Sequence, residues 1–380
     1  MTLRLLATLA VLLLTVACST SKRENIRPPR ELEKFDATVP VSRLWSRSLG
    51  DVGAKPGLRL APVLVDGRIY AVNTRGDVFI LDAASGAEVA RHRTGLPIAS
   101  PPGIGEGVIA VGTLDGRIVV LDAQSGAERF SARLLAEVVA APAVADGRVF
   151  VRSHDGRIQA FDLVDGRRAW LQEFEVPALS LRGNAALVHD RGYLLVGFDD
   201  GRVLALRTED GATVWQVQVG NADGRSDLER LADVDGRLQV VDGLLYTVGY
   251  RGQVMAIDVA TGQPRWARDL SSAGGVALGE HLFVSDADGR VQAVDEVGGG
   301  MIWSQDALEY RWLSSPAVVG GKVVVADFDG WLHWLDPMDG RLVARERIAR
   351  APVTVAPIAS GDVVWVLASN GTLAAYRVGG

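Results

Sequence analysis

The side chains able to do chemistry in this chain of 380 residues are few and scattered. Its five histidines are His92, His154, His189, His281 and His333, and no two stand at a spacing that builds a metal site. No glycine-rich phosphate loop and no Gly-x-Ser-x-Gly elbow occurs. Aspartate recurs at Asp82, Asp122 and Asp258, each time at the end of an apolar run and just before a turn. That placement suits turn capping better than acid–base work. The pattern predicts no catalytic residue, no metal and no cofactor.

The one side chain with a clear chemical role is Cys18, the only cysteine, so no intramolecular disulfide can form. It follows a short apolar stretch, Leu5 to Val16, behind Arg4. The stretch is too short to span a bilayer comfortably and reads as an export signal. Thr15-Val16-Ala17-Cys18 is similar to the lipobox of bacterial lipoproteins, where the peptide is cut before the cysteine and the thiol carries lipid. Thr15 stands where leucine is commoner. Ser19 after the cysteine resembles the signal for an outer-membrane destination. Three segments follow: residues 1–17 as signal peptide, 18–40 as lipidated N-terminus and tether, and 41–380 as the folded unit. Pro28, Pro29 and many charges mark the tether.

The folded unit repeats. A glycine turn, an apolar strand often ending in Asp, a second glycine turn and a strand often carrying an aromatic recur, with eight copies of the first turn. The turn glycines are Gly76, Gly116, Gly156, Gly201, Gly252, Gly289, Gly330 and Gly371. Asp-Gly and Asn-Gly at these points suit two-residue hairpin turns with positive φ. The aromatic strand carries Phe130, Trp170, Trp215, Trp266 or Trp303, residues suited to packing between units. A Pro-bearing strand recurs as Ala61-Pro62-Val63, Ala141-Pro142-Ala143, Ser315-Pro316-Ala317 and Ala356-Pro357-Ile358. Proline belongs on an edge strand. Eight four-stranded units of about forty residues predict an all-β, eight-bladed propeller of antiparallel blades. The last copy stops before its aromatic strand, and Leu44-Trp45-Ser46-Arg47-Ser48 at the other end supplies one. The N-terminal strand should therefore complete the last blade and close the ring.

Composition sets limits. The chain is 48% hydrophobic, with a net charge of −6 and arginines that never cluster, which disfavours a nucleic-acid surface. Function in a repeat protein sits where the repeat is interrupted. From the aromatic residue to the next turn glycine takes 26 residues after Phe130, but 31 after Trp170 and 37 after Trp215. These two long connections occupy equivalent places in consecutive repeats, so they should lie side by side on one face. The first puts Leu179 and Leu181 beside Arg182, the composition of a protein-binding hot spot. The second is acid-rich and includes Asp233 and Asp235.

These stretches, with the lipobox and the eight repeats, resemble the BamB family, the propeller lipoproteins of the outer-membrane β-barrel assembly (Bam) machinery. The most specific matches are Val176-Pro177-Ala178-Leu179-Ser180-Leu181-Arg182-Gly183, Arg230-Leu231-Ala232-Asp233-Val234-Asp235 and Gly330-Trp331-Leu332-His333-Trp334. The resemblance implies a non-enzymatic scaffold. Its partners would be the periplasmic POTRA domains of the barrel subunit BamA, the rest of the Bam complex and nascent outer-membrane proteins. It would sit at the periplasmic face of the outer membrane, held by its lipid. The family's BamA-contacting positions fall on Leu179, Leu181, Arg182, Asp233 and Asp235. Two other readings stay open: a dehydrogenase using pyrroloquinoline quinone, whose repeats look alike, and a propeller binding another envelope partner or cell-wall glycan. The single cysteine leaves no vicinal disulfide of the kind common in such dehydrogenases.

Overall fold

A computed structural model describes residues 27–53, 57–177, 185–221, 232–234, 236 and 238–379. The described residues form eight four-stranded antiparallel sheets and no helix. Seven sheets are continuous meanders: residues 63–93 (blade 1), 103–133, 143–173, 188–218, 239–269, 276–305 and 317–347 (blade 7). Blade 8 joins Ile358–Ser360, Val363–Leu367 and Thr372–Val378 to the N-terminal strand Val41–Ser48. Val41 faces Val378 and Ser48 faces Thr372, so the two ends of the folded chain close the ring.

The ring is also visible in where apolar side chains go. Each of eight buried clusters draws on two successive blades. Trp334 and Tyr376, for example, meet between blades 7 and 8, and Phe79 and Trp365 between blades 8 and 1. Both faces of the two middle strands are therefore dry, and they read as unbroken apolar runs such as Val108–Gly112 and Val78-Phe79-Ile80-Leu81. The innermost strands are three residues long. Pro62, Pro142, Pro316 and Pro357 immediately precede four of them, where no neighbouring strand requires an N–H.

The aromatic series staples one blade to the next. Trp45, Trp170, Trp215, Trp266 and Trp303 donate their indole N–H to a carbonyl in the following blade's outer turn, at 2.8–3.0 Å. The ring then lies on that turn's glycine. At Gly262 a Cβ would meet Trp215 Cγ at 2.5 Å, so no larger residue fits. The repeated aspartate caps the turn where it is present: Asp82 and Asp122 accept the amide and hydroxyl of Ser85 and Ser125, and Asp258 those of Thr261. These donors hold all three carboxyls below the usual range. Blades 1 and 7 have alanine, Ala90 and Ala344, in the aromatic place; in blade 1 His92 lies on Gly126 instead, and in blade 7 the turn to be met is replaced by the chain ends. A one-residue bulge before each aromatic, as between Ala256 and Ile257, aims it at its neighbour.

The turn chemistry expected from the sequence is relocated. The repeat-marking Asp115-Gly116 and Asp155-Gly156 lie in longer loops, with positive φ at the glycine only. The two-residue turns with positive φ at both positions are Asp66-Gly67, Glu106-Gly107, Asp146-Gly147, Arg191-Gly192, Asp242-Gly243 and Gly320-Gly321, between the first and second strands of blades 1 to 5 and 7.

Candidate functional site

In an antiparallel meander the second-to-third loops and the connections between blades share one face. Both long connections lie there, residues 174–187 between blades 3 and 4 and residues 219–238 between blades 4 and 5. They are adjacent around the ring, as their spacing requires. Leu179, Leu181, Arg182 and Asp235 fall outside the described residues, as does Cys18. Asp233 is described and is 5% exposed. Its carbonyl accepts the Tyr250 N–H at 2.7 Å, and the next residue, Val234, donates to Phe198 O at 3.2 Å. The second connection thus returns to the ring clamped between a loop of blade 4 and a loop of blade 5. Asp233 is thus buried at the root of this connection rather than on the exposed face.

Under the same sector sits a buried ion pair that the sequence did not single out. Arg152 ends the strand Arg148–Arg152 and is 4% exposed. It donates to Asp199 Oδ1 at 2.6 Å and to Gly197 O at 2.7 Å, and its guanidinium lies 4.8 Å from the Phe198 ring. Phe174, the first residue of the first long connection, stacks edge-on against Phe198 at 5.1 Å. The roots of both connections therefore rest on one rigid block: Phe198, Arg152 and Asp199. The signal was available, because Arg152 stands where other blades end the same strand in Val72, Gly112, Val248 or Ala326.

A second polar centre lies two blades further round, beneath the connection of residues 306–316. Arg311 is buried there and donates to Asp327 at 2.8 Å, to Asp329 at 3.0 Å and to the carbonyl of Arg30 at 3.0 Å. Tyr310 and Trp312 on either side take positive φ, 59° and 47°. That strain turns Arg311 inward and leaves Trp312 73% exposed. Asp327 also meets His333 Nε2 at 3.1 Å, and Arg345 Nε lies 3.2 Å from His333 Nδ1. Arginine can only donate, so Nδ1 accepts and Nε2 carries the proton of a neutral imidazole. Burial pushes His333 below its ordinary value against the pull of Asp327. Burial pulls Asp327 upward, but the His333, Trp331 and Arg311 contacts outweigh it and leave the carboxyl lowered.

This centre holds the N-terminal segment. Residues 27–40, expected as part of a tether, are docked along the rim. Arg30 pairs with Asp306 at 3.1 Å, Arg345 donates to Glu33 O at 2.9 Å and stacks on Phe35, and Thr38 donates to Val343 O at 2.9 Å. Leu32 and Val39 add to the cores of blades 6 to 8. Among the described residues, no group of three His, Cys, Asp or Glu is placed to hold a metal.

A family model described as outer membrane protein assembly factor BamB matches residues 74–305 and 287–379. The outer membrane protein assembly factor BamB of Pseudomonas aeruginosa is 44% identical over 373 residues, 98% of each chain. This chain belongs to the BamB family. Among solved structures, BamB from Moraxella catarrhalis is similar with a TM-score of 0.80 at 27% identity, over 89% of this chain and all of that one. A europium-containing methanol dehydrogenase is similar with a TM-score of 0.69 at 15% identity, over 89% of this chain and 93% of that one; that likeness is one of fold alone. The BamB family is described by assembly rather than by a reaction.

Proposed function

We propose that this chain is a non-enzymatic scaffold lipoprotein of the outer-membrane β-barrel assembly machinery, docking the POTRA domains of BamA on its loop face. Cys18 carries the lipid and keeps the propeller at the periplasmic face of the outer membrane. Leu179, Leu181 and Arg182 form the contact, and Asp233 and Asp235 shape the neighbouring connection. Nascent outer-membrane proteins are the clients the docked pair serves.

The observation that carries this reading is the shared foundation of the two longest connections. They stand side by side, both rooted on Phe198, Arg152 and Asp199. Two apolar side chains beside an arginine have the composition of a protein-binding hot spot. Arg182→Glu or Leu181→Asp should abolish co-purification with BamA from detergent-solubilised membranes while the melting curve stays in place. Retention by both variants would move the contact elsewhere. Cys18→Ser should release the protein from the membrane fraction. A stoichiometric quinone chromophore in the purified protein would sink the scaffold reading.

A further inference from the structure

The face opposite the connections carries a cleft of about 730 Å³ spanning blades 4, 5 and 6. Its origin is a missing side chain. In blade 3 the strand Arg148–Arg152 begins with Arg148, which donates to Thr208 O and Glu209 O, both at 2.6 Å, and plugs the notch against the blade 4 turn. Leu244 holds the same register in blade 5: it faces Asp258 as Arg148 faces Asp162. The matching turn in blade 6 is Glu296-Val297, marked by the Trp266 bond to Glu296 O at 2.9 Å. Leucine cannot reach those carbonyls, so the notch stays open.

The open notch is chemically specific. Tyr246 is 5% exposed, its phenol lines the cleft, and no described residue hydrogen-bonds its hydroxyl. Asp242 and Glu296 line the cleft with it, and burial followed by their charges pushes that hydroxyl above its ordinary value. Four carboxylates line the cleft against two arginines. Both arginines are committed, Arg191 to Asp190 at 3.1 Å and Arg265 to Asp258 at 2.9 Å. Asp242 has no cationic partner among the described residues, and Glu296 has only His281, at 3.9 Å. Beside them Val297 is 78% exposed.

We infer that this cleft is a second docking site, taking an arginine-bearing peptide segment of a partner protein with an apolar residue next to the arginine. The guanidinium replaces the one that blade 3 supplies from its own chain. Its five fixed donors can divide between the two carboxylates, the phenol oxygen and the turn carbonyls, while the apolar neighbour covers Val297. The site faces away from the BamA-docking loops, so both can be filled at once.

The test is fluorescence anisotropy of fluorescein-Gly-Arg-Leu-Gly-amide against the full lipid-free chain, beside the same peptide with citrulline for arginine. The arginine peptide should bind, and citrulline should weaken it at least tenfold. Leu244→Arg should remove binding by plugging the notch internally, with no change in melting or in BamA co-purification. Should that variant melt lower, the double variant Asp242→Asn, Glu296→Gln decides, with a loss of tenfold or more expected. Absent binding by the wild type, equal binding of the citrulline peptide, or binding undiminished in the double variant each overturns the proposal. So does full displacement of the peptide by millimolar calcium, which would make the cleft a cation site.

Discussion

Two sectors of the loop face use the same position of the repeat in opposite ways. Between blades 3, 4 and 5 the connections lengthen and rest on one ion pair, Arg152 with Asp199. Between blades 6 and 7 the connection of residues 306–316 turns a strained arginine inward, where Asp327, Asp329 and the Arg30 carbonyl all receive it. The first sector puts its sequence into longer connections. The second puts it into holding the chain's own N-terminal segment. A propeller's blade connections are free to vary, and here one group is lengthened, where the partner contact is proposed, and another serves self-attachment.

Breaking the ion pairs should give the largest effects. Arg311→Met strands Asp327 in the core and should cost about 3–5 kcal/mol in urea denaturation, as for other broken buried pairs. It should also expose the segment around Arg30 to trypsin. Arg152→Met should cost a similar amount through Asp199 but leave that segment protected, and it should weaken BamA retention. A variant pair that fails to separate these two readouts would erase the distinction between the sectors.

Acid should discriminate next. His333 is neutral when buried, and its folded value lies below the ordinary 6.5, so below pH 6.5 the unfolded chain binds the proton first. Stability from this group is complete above pH 6.5 and is lost as pH falls toward the folded value. The Asp327 contribution persists until pH falls below 3.8. The melting temperature should thus drop between pH 7 and pH 5, and His333→Gln should flatten that drop. An unchanged drop would place the acid-sensitive group in the other sector. The smallest effect belongs to Trp312, whose exposed ring supports little: Trp312→Ala should shift stability by no more than about 0.5 kcal/mol.

Much of this was legible in the sequence, because aromatic, glycine and aspartate recur with the blade period and each makes a local contact. From sequence alone Trp215 reads as packing between blades and Asp258 as a turn cap; that the indole lies on Gly262 of the next blade does not. The closing strand at Trp45 was legible for the same reason. The N-terminal docking was not, since the ring grips it largely through main-chain groups: Arg30 O, Glu33 O and Thr38 N–H carry no residue signature. Arg152 gave a signal as a lone charge in an apolar strand, but its partner Asp199 lies 47 positions away. The cleft at Leu244 is legible only by comparison with Arg148, because it is made by an absence. The hairpin turns were misplaced because Asp-Gly serves both a two-residue turn and a longer loop.

The docked N-terminal segment also sets where a tether would leave the ring. Its outermost described contact, Arg27 with Tyr310, is on the loop side of the rim. Eight residues lie between Cys18 and Arg27, a contour of at most about 30 Å. With Cys18 carrying the lipid, as proposed, that reach keeps the rim at Tyr310 close to the bilayer, so the protein is tethered by one edge of the ring.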